Sequence, residues 1–222
     1  MIKTPDLIDS LAAGLTPVRR LRPPALRAMF WLLLAAAVLA LLAVNQGIRP
    51  DLAQRLGEPA FATSLVASIV TGALAAIAAF VVSLPDRSRL WLLLPLPTLV
   101  LWLSNVGYQC LTHWIAIGPN GVGPGEAARC FATLALTSLP LSLAMLVMLR
   151  YAAALRPTVV SFMGSLAVAA VTATALALFH KVNASVMILM WNLGVAALFA
   201  ALGGMFGRRM LRWAASRSDA LS

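Results

Sequence analysis

Met29-Phe30-Trp31-Leu32-Leu33-Leu34-Ala35-Ala36-Ala37-Val38-Leu39-Ala40-Leu41-Leu42-Ala43-Val44 lies in a stretch without a single charge between Arg27 and Arg49. A helix of about 20 mostly apolar residues crosses the hydrocarbon layer of a bilayer, and this stretch is long enough. Five more uncharged runs follow, between Glu58 and Asp86, Arg89 and Glu126, Arg129 and Arg150, Arg156 and Lys181, and Lys181 and Arg208. The whole chain is 61% hydrophobic and 11% charged, where a soluble domain carries about 25% charge. The fold expected is all-α: a polytopic membrane protein with six transmembrane helices.

The net charge of +10 invites a nucleic-acid reading until the charges are located. With the N-terminus placed in the cytoplasm, 13 of the 17 basic residues fall in inner segments. Only Arg49, Arg55, Arg129 and Lys181 fall in outer loops. Short loops of membrane proteins show this positive-inside bias. The charge is thus topology, with both termini cytoplasmic and no direct nucleic-acid partner. A cleaved signal peptide is the rival reading of the first 45 residues. The leader before the apolar run is as long as many entire signal peptides, and no clean Ala-x-Ala site follows Val44.

Three parts are expected. Residues 1–24 form a cytoplasmic segment, 25–206 the six-helix domain and 207–222 a basic cytoplasmic tail. In the first part, Thr4-Pro5-Asp6 is a helix start: Thr4 caps, Pro5 fits the first helical position and Asp6 suits the positive dipole end. Leu7, Ile8, Leu11 and Leu15 then share one apolar stripe, with Asp6 and Asp9 opposite. A helix of about ten residues does not stand alone in water, so it needs a surface. Two remain open: anionic lipid beside the arginines, or the groove of a cytoplasmic partner. Arg19, Arg20 and Arg22 lie between Pro17 and Pro23-Pro24, an extended tether.

The spans are expected over about 25–44, 61–84, 90–115, 129–150, 158–180 and 185–206. A short surface helix is placed in the outer loop containing Arg49-Pro50-Asp51. Small residues recur in span two (Gly72, Ala75, Ala76, Ala78, Ala79) and span five (Ala167, Ala169, Ala170, Ala173). They would let helices approach closely, although an alanine-rich genome accounts for them as well.

No HExxH, GxSxG or phosphate loop is present, and no catalytic role is expected. Asn105, Gln109 and His113 form a polar stripe on span three. It would serve helix–helix hydrogen bonding or, in a small transporter or metal-efflux protein, a substrate path. A second set sits at one depth near the outer face: Cys110 and His113 on span three, Cys130 opening span four, His180 closing span five, and Met187 and Met190 on span six. Two thiols, two imidazoles and thioethers suit a soft metal such as Cu(I), or a disulfide. Small buried cysteines and interfacial histidines explain the same residues without any ligand.

The run Thr4-Pro5-Asp6-Leu7-Ile8-Asp9-Ser10-Leu11, with Pro17-Val18-Arg19-Arg20-Leu21-Arg22-Pro23-Pro24 after it, resembles the N-terminal signature of NrsF-type (negative regulator of sigma F) membrane anti-sigma factors. Pro85-Asp86-Arg87-Ser88-Arg89 with Trp91-Leu92-Leu93-Leu94-Pro95, Gly107-Tyr108-Gln109-Cys110, and Cys130 with Leu136-Thr137-Ser138-Leu139-Pro140 extend the resemblance along the chain.

The resemblance implies a six-helix anti-sigma factor in the bacterial inner membrane. It implies that the cytoplasmic N-terminus, with Asp6, Leu7, Ile8, Asp9, Leu11, Arg19, Arg20 and Arg22, holds an extracytoplasmic-function sigma factor. It also implies release on a periplasmic stress signal, metal or redox, sensed through Cys110, His113, Cys130 and His180. No fixed cofactor is implied; a copper-like ion enters only as the signal. One departure matters. Family members tend to carry His-Cys after span five, and here the pair is His180-Lys181. The second thiol is absent and an ammonium opposes cation binding.

Overall fold

The computed structural model describes residues 13, 23–84, 86–113, 124–149 and 157–179, with the backbone alone for 109–113, 124–130 and 157. Every regular element among them is helical. They are α1 (Pro24–Gln46), a short α2 (Leu52–Leu56), α3 (Pro59–Val82), a 3-10 segment (Arg89–Leu93), α4 (Leu96–His113), α5 (Pro124–Leu149) and α6 (Pro157–Phe179). Five spans are long and apolar enough to cross a membrane, counting the 3-10 segment and α4 as one. The expected sixth, 185–206, lies outside the described residues, as does the N-terminal helix apart from Ala13.

Four span starts differ from the sequence reading by a few residues, each because of proline. Pro24, Pro59 and Pro124 occupy first helical positions, as does Pro157 one residue before the expected start of its span, and a missing N–H costs nothing there. α5 therefore begins five residues before Arg129. The larger correction is span three, expected as one helix from Leu90. Pro95 and Pro97 remove the donors that Trp91 and Leu93 carbonyls would accept from, so the α ladder cannot pass. The chain closes 3-10 turns instead, with Leu94 N–H on the Trp91 carbonyl at 3.3 Å, and α4 starts afresh at Leu96.

α3 and α6 form the central pair, antiparallel, with the small residues of both along their seam. Ala75, Ala76, Ala78 and Ala79 of α3 and Ala167, Ala170 and Ala173 of α6 are buried. A Cβ at Gly72 would stand 3.3 Å from Val171 Cγ2 and 3.4 Å from Ala170 Cβ. The small-residue stripes thus let two backbones approach. Hydroxyls cross the same seam, with Ser68 Oγ 3.0 Å from Thr174 Oγ1.

The other helices cover this pair on different sides. Ala28, Trp31 and Ala35 of α1 and Leu141, Met145 and Leu149 of α5 join one cluster with Phe80 and Val168. Trp102 and Val106 of α4 pack on Ala67, Ala170 and Ala173 in another, and Thr71 Oγ1 donates to Thr98 Oγ1 of α4 at 3.0 Å. No buried cluster of described residues joins α4 to α5. Within α5, Pro140 interrupts the ladder, and the fully buried Trp31 indole donates to the adjoining Leu141 carbonyl at 3.1 Å.

The bundle has two ends. The near end holds Pro24, Val82, the 3-10 segment, Leu149 and Pro157. The far end holds Gln46, α2, Pro59, His113, Pro124 and Phe179.

Candidate functional site

At the far end, α1 stops because Gly47 takes φ of 72°, a left-handed conformation that a side chain disfavours. This turn sends Arg49 inward. Its side chain is 4% exposed, forks onto both Asp51 carboxylate oxygens at 2.9 and 2.7 Å, and lies over the Phe61 ring at 5.8 Å. A planar guanidinium suits this bidentate, stacked setting better than any other cation. The hydrogen bond from Arg49 holds the Asp51 carboxyl down at about 2. Arg55 reaches Asp51 at 3.8 Å and Glu58 at 3.1 Å, completing a small charged network over α2.

This loop is tied to the rest of the far end. The Arg49 N–H donates to the Leu178 carbonyl in the last turn of α6 at 3.2 Å. One turn back along the chain, Gln46 Oε1 accepts from the buried Thr133 Oγ1 of α5 at 3.0 Å. The end of α1 is therefore bound to α5, and the loop three residues beyond it to α6. Nothing in the sequence pairs these residues, which stand 87 and 129 positions apart. A polar residue closing an apolar run was the one available signal for Gln46.

The sequence placed Cys110, His113 and Cys130 in one layer, and the backbone agrees on depth. Cys110 and His113 stand at the C-terminal end of α4, Cys130 in the second turn of α5, all at the far end. No buried cluster of described residues joins α4 to α5, and the side chains of Cys110, His113 and Cys130 are not described. Among the described residues no three metal-ligating side chains gather. His180 and Lys181 lie just past Phe179, outside the described residues. On the polar stripe, Asn105 donates to its own helix at the Leu101 carbonyl, 2.9 Å away, and no bond from it to a second helix occurs among the described residues. The side chains of Gln109 and His113 are not described.

At the near end, the residues expected to bind a partner, Asp6, Leu7, Ile8, Asp9, Leu11, Arg19, Arg20 and Arg22, lie outside the described residues. The chain enters the bundle through Pro23-Pro24. Arg27 in the first turn of α1 is buried and sits over the Phe80 ring at 5.2 Å, a cation–π contact strengthened by desolvation. Its Nη2 has no hydrogen-bond partner among the described residues.

A family model described as NrsF, negative regulator of sigma F, matches residues 11–213. The match takes in Leu11, Arg19, Arg20, Arg22, Cys110, His113, Cys130 and His180, and begins after Asp9. No curated protein and no solved structure matches the chain. The regulatory family fits a chain whose described elements are all helical and include five spans long and apolar enough to cross a membrane. With nearly its full length matched, the chain belongs to the NrsF family of negative regulators of sigma F.

Proposed function

We propose that the chain is a membrane-bound anti-sigma factor of the bacterial inner membrane, with its near end at the cytoplasm and its far end at the periplasm. The observation that carries this reading is the family match over residues 11–213, which spans both the tether and the helices. The positive-inside distribution of the arginines supports the orientation.

In this reading residues 1–24 hold a sigma factor of the extracytoplasmic-function class. Leu7, Ile8 and Leu11 bury in a groove of the partner, while Asp6 and Asp9 meet its basic, nucleic-acid-facing surface. Arg19, Arg20 and Arg22 keep the complex against the anionic inner leaflet. The sigma factor is thereby kept from polymerase and DNA by occupancy and place, without bond chemistry. The far end receives the releasing signal, a soft metal ion or an oxidant acting on Cys110, Cys130 and the nearby imidazoles. A signal shifts the equilibrium only by its differential affinity for the holding and releasing states.

The test is co-purification of the full chain with a sigma factor of the extracytoplasmic-function class. A Leu7→Asp, Leu11→Asp variant is expected to lose the sigma factor while remaining in the membrane. Retention equal to wild type refutes the docking role of these residues. The transporter alternative rests on Asn105, Gln109 and His113. Substrate-dependent flux in proteoliposomes, lost on Asn105→Ala, would favour it.

A further inference from the structure

We infer that α1 is the rod through which the state of the far end reaches the partner-binding segment, and that two hydrogen bonds form its latch. These are Thr133 Oγ1 to Gln46 Oε1 and Arg49 N–H to the Leu178 carbonyl. The inference rests on the anti-sigma reading and adds to it a route and a set of residues.

Covalent continuity selects α1, since residues 1–23 run directly into it. Pro23 and Pro24 fix their own φ angles, so the junction passes on a movement of α1 better than a flexible hinge would. The contacts then select the latch. Thr133 stands three residues from Cys130, and Leu178 two residues from His180. Each far-end hydrogen bond of α1 thus lands beside a candidate sensor residue of α5 or α6. α4, which carries Cys110 and His113, shares no buried cluster of described residues with α1. The α5–α6 limb is the one wired to the partner, and the α4 limb is not.

The mechanics are those of a lever. α1 is 23 residues long, roughly 35 Å at the α-helical rise. The Trp31 indole bond to the Leu141 carbonyl pins it about 10 Å from Pro24 and about 22 Å from Gln46. A displacement of Gln46 therefore reappears at Pro24 in the opposite direction, at about half its size. The Arg49–Asp51 fork and the Phe61 ring stiffen the loop, so that a change in the last turn of α6 moves the end of α1 instead of dissipating in the connection.

The test uses the full chain in lipid nanodiscs, with the sigma factor that co-purifies with it fluorescently labelled and binding read by anisotropy. The variant Thr133→Val, Asp51→Ala removes the α5 bond and the carboxylate that holds the loop. Its affinity for the sigma factor is expected to fall roughly threefold to tenfold without any inducer, the equilibrium shift of one lost hydrogen bond. The control Ser68→Ala, Thr174→Ala removes a comparable bond between α3 and α6 that does not touch α1, and is expected to bind as wild type does. Thermal unfolding of both variants checks that each is folded. The latch is overturned if its variant binds as tightly as wild type, or if the control weakens binding equally. Wild type that fails to bind any sigma factor overturns the anti-sigma reading, and the latch with it.

Discussion

Enlarging Gly72 measures how much of the bundle depends on the close approach of α3 and α6. A Cβ there would meet Val171 Cγ2 at 3.3 Å, Ala170 Cβ at 3.4 Å and the Ala167 carbonyl oxygen at 3.5 Å. Carbon atoms prefer about 3.5–4.0 Å, so Gly72→Ala requires Val171 to yield by a few tenths of an ångström. Replacing a helical glycine by alanine returns about 1 kcal/mol. The two effects offset, and Gly72→Ala is expected to lie within about 1 kcal/mol of wild type. Gly72→Leu adds three more carbons to a seam lined by buried alanines, and overpacking of that kind costs about 1–3 kcal/mol. The assay is equilibrium unfolding in mild detergent, followed by tryptophan fluorescence. Combining Gly72→Leu with Val171→Ala opens the nearest wall. The pair is expected to show a favourable coupling of about 0.5–3 kcal/mol in a double-mutant cycle. The reasoning is refuted if Gly72→Leu unfolds where wild type does, or if the cycle shows no coupling.

Trp31→Phe keeps most of the buried ring but deletes the donor to the Leu141 carbonyl, and is expected to destabilise by about 1 kcal/mol in the same unfolding assay. Asp51 supplies a pH signature. Its folded pKa, about 2, lies below the ordinary aspartate value near 3.9. Its contribution is therefore complete above that ordinary value and fades as pH falls toward 2. The protection of residues 47–58 against hydrogen exchange, taken relative to the intrinsic rate at each pH, is expected to hold at pH 5 and to fall below about pH 4, and Asp51→Asn should abolish the dependence. Pro95→Ala with Pro97→Ala restores donors for Trp91 and Leu93, so α4 should extend toward Arg89. Unchanged helicity by circular dichroism would show that something other than the missing N–H groups sets the break.

The spans were legible because burial in lipid demands long uncharged runs, a constraint written locally. Pro95 and Pro97 fall inside the expected span over about 90–115, and together they interrupt it. The alanines of α3 and α6 were visible, yet composition alone explained them equally well. Only the packing at Gly72 shows that they form a seam. The depth of Cys110 and Cys130 followed from span positions. The arrangement of the helices around one another did not, because it is set by contacts between distant residues such as Ser68 and Thr174. Arg49 looked like an ordinary loop charge; its burial depends on Phe61 and on α6, which no local pattern names.

The α3–α6 seam also sets a timetable for biogenesis. α3 is complete at Val82, but its partner ends at Phe179, which at about 5–20 residues per second emerges roughly 5–20 s later. During that interval Ser68 and the alanine face of α3 meet only lipid or the insertion machinery, and the end of α1 has neither Thr133 nor Leu178 to hold it. A chain that stalls before Pro157 would sit in the membrane without its centre and with its N-terminal segment on an unlatched helix.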